Sequence, residues 1–156
     1  MSLIVEYQRA VRDAEVARLR RVLVLRAMLA EGESQRALAA KMGVTQPAIS
    51  YQVARERTSG SRPSELIAAG GPALRKVAER YGFSRLAVFG SAARGDDRAD
   101  SDVDLIVQPP ASATLSDLVC LEETLEIILG RDVDLVSYRG LDPHLDQDIL
   151  RDAVLL

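Results

Sequence analysis

Apolar residues return every three or four positions in VARLRRVLVLRAMLAEGE, at Leu19, Val22, Leu23, Ala27 and Ala30. That spacing predicts a core-facing helix stopping near Gly32. The next stretch, SQRALAAKMGVTQPAISYQVARER, predicts two shorter helices. Ser34 is placed to cap one that ends at Met42, Gly43 to supply a tight turn, and Thr45 to cap the other. Pro47 falls in the first turn of that last helix, where its missing N–H costs no helical bond. Leu38, Val44, Ile49 and Val53 would form a small interior between the pair, leaving Gln46, Ala48, Ser50 and Tyr51 at the exposed edge. The pattern is that of a helix-turn-helix.

The second half changes period. An amphipathic run, SELIAAGGPALRKVAERYG, is followed by RLAVFGS, SDVDLIV, LSDLVCLEETLEIILG and RDVDLVS, which read as helix, strand, turn, strand, helix, strand. Residues two apart on a strand share a face. Asp102 and Asp104 therefore project together while Val103, Leu105 and Val107 bury, and Asp134 projects opposite Val133 and Leu135. The closing LDPHLDQDILRDAVLL reads as one terminal helix.

Composition sets outer bounds. In 156 residues, 47% are hydrophobic and 28% charged, as in a globular protein, and no apolar run approaches a membrane span. The first thirty residues mix arginines with aliphatics and lack the layout of a secretory signal, so the cytoplasm is the expected location and no membrane partner is expected. The single Cys120, among Leu118, Val119 and Leu121, is expected in the core, and the lone His144 on the surface. The net charge of −3 is unevenly spread: residues 1–60 hold ten basic and six acidic side chains, so the remainder carries −7. The change falls at TSGSRP, which reads as a flexible joint. The expected fold is α/β (α+β): an all-α helix-turn-helix domain at 1–60 and a small mixed-sheet domain flanked by helices at 61–156.

Through Gln35, Leu38-Ala39, Gly43-Val44-Thr45-Gln46 and Ile49-Ser50, the basic unit resembles the phage-repressor-like (XRE) DNA-binding family. In that family the second helix enters the major groove and the start of the first meets the backbone. The resemblance implies DNA contacts from Gln35, Thr45, Gln46, Ser50 and Tyr51, with Arg36, Lys41, Arg55 and Arg57 adding sequence-independent attraction. Promoter DNA is the expected partner, and a homodimer suits paired half-sites. The alternative is that these helices only pack or dimerise.

The acidic unit poses a sharper chemical problem. Two carboxylates about 6 Å apart repel by roughly 2–3 kcal/mol at an effective dielectric near 20. A hard divalent cation relieves this, and magnesium takes a few carboxylates together with phosphate oxygens. Gly90 lets backbone amides approach a phosphate, Ser91 offers a hydroxyl, and Arg94 adds a positive charge. Phosphate cradle and metal carboxylates together make a site for phosphoryl chemistry.

GSAARG…SDVDLIV…VDLVS is similar to the minimal nucleotidyltransferase (MNT) family of the DNA polymerase β superfamily, whose signature is Gly-Ser, ten residues, Asp-x-Asp, and a later third acidic residue. The similarity runs from about Arg85 to the end. It implies two Mg2+ ions on Asp102, Asp104 and Asp134, which are also the catalytic residues, and ATP bound at Gly90, Ser91 and Arg94. The implied reaction moves a nucleoside monophosphate to an acceptor hydroxyl. Too few residues follow Asp134 for a separate acceptor domain, so the acceptor is expected on another macromolecule. Many MNT proteins are antitoxins that attach AMP to a tyrosine of a HEPN-type toxin, and a fused DNA-binding unit fits autoregulation. Three alternatives stand beside this: a DNA-binding regulator that senses nucleotide, a toxin acting on tRNA, and a small-molecule transferase.

Overall fold

The computed structural model describes residues 1–55 and 58–156, and of Arg55 only the backbone. The chain opens with α1 (Leu3–Ala30), a 28-residue helix that ends just before Gly32, whose φ of 100° turns the chain. Two short helices follow, α2 (Gln35–Met42) and α3 (Gln46–Arg55). Their ends are capped as the sequence suggests. Ser34 Oγ accepts the Ala37 N–H at 3.0 Å, Gly43 takes a left-handed φ of 68°, and Thr45 Oγ1 accepts the Ala48 N–H at 3.3 Å. Next comes α4 (Pro63–Arg80), with Pro63 at its first turn and the Glu65 carboxylate accepting the Arg62 N–H at 2.7 Å.

The remaining elements are β1 (Ser84–Val88), α5 (Gly90–Arg94), β2 (Val103–Gln108), α6 (Leu115–Leu129), β3 (Val133–Ser137), a 3-10 turn at Tyr138–Gly140, α7 (Gln147–Asp152) and β4 (Val154–Leu155). The sheet order is β3-β2-β1-β4, with β2–β3 parallel and the other two pairs antiparallel. The mixed α/β class expected from the period change is the class observed. The terminal helix is shorter than expected: Pro143 and the Asp142 turn delay its start, and the last residues pair with β1 as β4.

Alternation along β2 and β3 places Val103, Leu105, Val107, Val133 and Leu135 in the main core, against α4, α6 and one face of α1. The opposite face of the sheet buries Ala87, Phe89 and Ile106 under Tyr138, Leu141 and Ile149. Two faces of α1 do different work. Leu19, Leu23 and Ala27 join the main core, while Leu25 joins Leu38, Ala39 and Ile49 in a second cluster with α2 and α3. The main core thus includes residues on both sides of position 60. At the α1–α4 crossing, a Cβ on Gly70 would lie 2.6 Å from Leu23 Cδ1, so the missing side chain is what lets the helices meet.

Three further expectations are corrected. TSGSRP is tied down rather than loose: Thr58 and Ser61 are buried, Thr58 Oγ1 donates to the Leu129 carbonyl at 3.1 Å, and Arg131 donates to the Ser61 carbonyl at 2.9 Å. Val44 is 44% exposed because it lies in the turn itself, its N–H bonded to the Ala39 carbonyl, and Leu25 fills the interior instead. Cys120 is exposed, since α6 buries Leu121, Leu125, Ile128 and Leu129 and position 120 falls outside that stripe. His144 is exposed as expected. Among the described residues, no helix is long and apolar enough to cross a membrane.

Candidate active site

The acidic site is built where β1 ends and β2 begins. β1 delivers Phe89, whose N–H donates to the Asp104 carbonyl at 3.0 Å, and the chain then turns at Gly90 with φ of 69° into α5. The Asp104 carboxyl fills the space a Gly90 side chain would need: an added Cβ would lie 3.1 Å from Asp104 Cγ and collide with Oδ2. Any other residue at position 90 would displace either the turn or the carboxylate.

Asp104 and Asp134 are direct register partners on the parallel strands β2 and β3. Asp104 is half-buried and Asp134 exposed, and Asp102 is an exposed residue immediately before β2. Burial pushes the Asp104 carboxyl up from its usual range, and the negative charges of Asp134 and then Asp102 push it further, against a smaller opposing pull from Arg94. The three carboxylates therefore share one electrostatic neighbourhood. Among the described residues, no three Asp, Glu, His or Cys side chains form a ready enclosure for an ion. The donor set suits a hard cation that completes its shell with phosphate oxygens, because such an ion needs only one or two carboxylates.

Arg94 is exposed and held by Asp152 (Nη1–Oδ2 3.1 Å) and Asp96 (Nε–Oδ2 3.3 Å). Hydrogen bonds to Asp152, then to Asp96, push its pKa upward. Ser91 is half-buried at the second position of α5, and its carbonyl accepts the N–H groups of Gly95 and Asp96. In the intervening loop Asp96 and Asp100 face solvent as expected, but Asp97 is 5% exposed. Its Oδ2 accepts the Ser64 N–H at 2.7 Å at the start of α4, where a free helix N–H attracts a carboxylate. Asp132 is exposed, and its carbonyl accepts the Val103 N–H.

Sequence reasoning missed the groups that set β3 in place. β3 is a sheet edge, and the outward N–H groups of Val133 and Leu135 donate to Glu126 Oε1 at 3.1 Å and Glu122 Oε2 at 2.9 Å on α6. The signal available in the sequence is Glu122 and Glu126, four apart and so on one face of the helix. Asp152, the tether of Arg94, was likewise unmarked.

On the other surface, Gln35 and Gln46 meet at the starts of α2 and α3, with Gln46 Nε2 donating to Gln35 Oε1 at 2.7 Å. Thr45 and Gln46 are exposed, Tyr51 is 62% exposed, and Ser50 is half-buried one turn beyond Gln46. Arg36 is exposed, and Lys41 is paired with Glu33 at 2.6 Å. Arg57 and the side chain of Arg55 lie outside the described residues.

The family profile described as Polymerase beta, Nucleotidyltransferase matches residues 73–156. The protein adenylyltransferase MntA of Thermococcus cleftensis is 39% identical over 80 residues, which span 51% of this chain and 81% of that one. A Methanocaldococcus jannaschii protein, named as a candidate protein adenylyltransferase, is 39% identical over 75 residues, spanning 48% of this chain and 81% of its own length. A solved structure described as a candidate minimal nucleotidyltransferase superposes with a TM-score of 0.55 at 44% identity, over 60% of this chain and 95% of that one.

Proposed function

This chain belongs to the polymerase beta nucleotidyltransferase family, and on that premise we propose that it is a protein adenylyltransferase that moves AMP from ATP to a hydroxyl of a partner protein. The observation that carries the proposal is the register pairing of Asp104 with Asp134 beside the Gly90 turn. The names of the relatives support the choice of AMP and of a protein acceptor.

Asp102 and Asp104 would hold two magnesium ions, Asp134 completing the acceptor side, and when bound these supply charge neutralisation at the phosphates and a lowered pKa for the acceptor hydroxyl. Backbone amides around Gly90 and the Ser91 hydroxyl receive the β- and γ-phosphates. Arg94, kept in place by Asp152, adds positive charge on the same side. The acceptor oxygen bonds to the α-phosphorus, the bond to the β-phosphate oxygen breaks, and pyrophosphate leaves. The acceptor's proton goes to Asp134, which is exposed and so within reach of a macromolecular substrate.

The partner we propose is a HEPN-type toxin silenced by AMP on a tyrosine, which makes this chain the antitoxin. We further propose that α2 and α3 bind promoter DNA, an assignment supported by the Gln35–Gln46 pair and exposed Tyr51 at one edge. Incubating chain, neighbouring gene product, magnesium and α-labelled ATP tests the transfer. Label on the partner with wild type, absent with Asp102→Ala, is expected; growth arrest by this chain alone, relieved by Asp102→Ala, would instead indicate a toxin.

A further inference from the structure

Along α1, Leu3, Tyr7, Ala10, Ala14, Ala17, Arg21, Val24 and Met28 follow one another in alternating steps of four and three. This is the spacing of a coiled-coil seam. All but Met28, which is half-buried, are exposed, with Leu3 at 88% and Tyr7 at 68%. The seam lies off the main core, which α1 meets through Leu19, Leu23 and Ala27; its last residue, Met28, packs against the second cluster, which α1 enters through Leu25.

We propose that this seam binds a second copy of the chain, α1 against α1 in antiparallel register, about a twofold axis between Ala14 and Ala17. The seam is complementary to itself in that direction. Reversing one copy sets Leu3 against Met28, Tyr7 against Val24, Ala10 against Arg21 and Ala14 against Ala17. Large side chains meet at the ends, and alanines at the middle let the backbones approach. Opposite Ala10 there is room for the aliphatic stem of Arg21.

Charge favours the same register. Asp13 and Arg20 flank the seam on one side of the helix, and reversal brings Asp13 of each copy beside Arg20 of the other. Both residues are exposed, although Arg20 Nε also donates weakly to the Ala69 carbonyl at 3.4 Å.

The body of the protein has space at the required place. Val24 and Met28 form a ridge between two cavities, one of about 480 Å³ toward Ala73 and Val77 of α4, and one of about 400 Å³ toward Met42, Val44 and Ile49. Leu3 and Tyr7 of the second copy arrive on that ridge. Their arrival covers Val24 and the exposed Met42 and Val44. This surface is independent of the transfer chemistry.

Sedimentation equilibrium on the full chain should show a dimer, weakened roughly tenfold or more by Tyr7→Glu, as expected for an aromatic anchor. Asp13→Arg should weaken it and Asp13→Arg with Arg20→Asp restore it. In a Cys120→Ser background, Tyr7→Cys with Val24→Cys should oxidise to a covalent dimer. Those positions are about 25 Å apart on one straight helix, so the link must be intermolecular. A monomeric wild type, a dimer indifferent to Tyr7→Glu, or equal linkage from Tyr7→Cys alone would overturn the proposal. If Tyr7→Glu loses helicity by circular dichroism, the cysteine pair decides.

Discussion

Asp104 on β2 and Asp134 on β3 stand directly opposite each other in a parallel register, so two carboxylates face the same space. Among the described residues Arg94 pulls the other way on Asp104, and its guanidinium is already bonded to Asp152 and Asp96.

Asp104→Asn should therefore abolish nucleotide transfer while stabilising the metal-free protein at neutral pH. The folded-state pKa of Asp104 is raised, so its ionised form is the destabilised one and the protonated form is favoured at low pH. The advantage of the asparagine should be full above the raised pKa and vanish as pH falls below the unfolded value. The expected result is a higher Tm for the variant by calorimetry at neutral pH without divalent ions, the gain reduced by solvent screening of this half-exposed group. A variant less stable than wild type at pH 7 would contradict this.

Gly90→Ala adds a methyl where the Asp104 carboxyl stands, at a φ that side chains resist. Transfer should fall by about two orders of magnitude or more, since misplacement on the order of 1 Å costs that much. Ala93→Gly in the same helix should retain most activity, and the two rates measured side by side check the claim.

Glu122→Ala should leave the Leu135 N–H without its partner at the β3 edge. A loss of roughly 1–3 kcal/mol is expected by denaturant unfolding. Because β3 carries Asp134, transfer should weaken as well, with a smaller effect from Glu123→Ala on the exposed side of α6.

Gly70→Ala tests whether α1 is built into the transferase body. Its methyl would press on Leu23, which is fully buried, and overpacking of this kind costs about 1–3 kcal/mol. Unfolding followed by the fluorescence of a tryptophan introduced in α3 by Tyr51→Trp, and by loss of transfer, should shift together, whereas unchanged stability would show that α1 and α4 separate freely.

Much of the site was legible because its chemistry is local. Alternation in SDVDLIV and RDVDLVS fixes which face carries acid, and a glycine before a serine marks a turn. What was hidden depends on contacts distant in the chain. Asp97 looks like any loop aspartate until Ser64 is placed beside it. Thr58 sits in a segment with the composition of a linker, and only the Leu129 carbonyl and Arg26 show it to be anchored. The first four turns of α1 carry apolar residues that this chain does not cover, so no core periodicity announces them. β4 is two residues long, too short for alternation to register.

The roles we propose for Asp102, Asp104 and Asp134 in AMP transfer are tested by following the phosphorus. With magnesium and the partner protein, ATP labelled at the α-phosphate should label the partner, and ATP labelled at the γ-phosphate should not. Asp102→Ala, Asp104→Asn and Asp134→Asn should each abolish the α-label. Label from the γ-phosphate, or α-label undiminished in the three variants, would contradict the account.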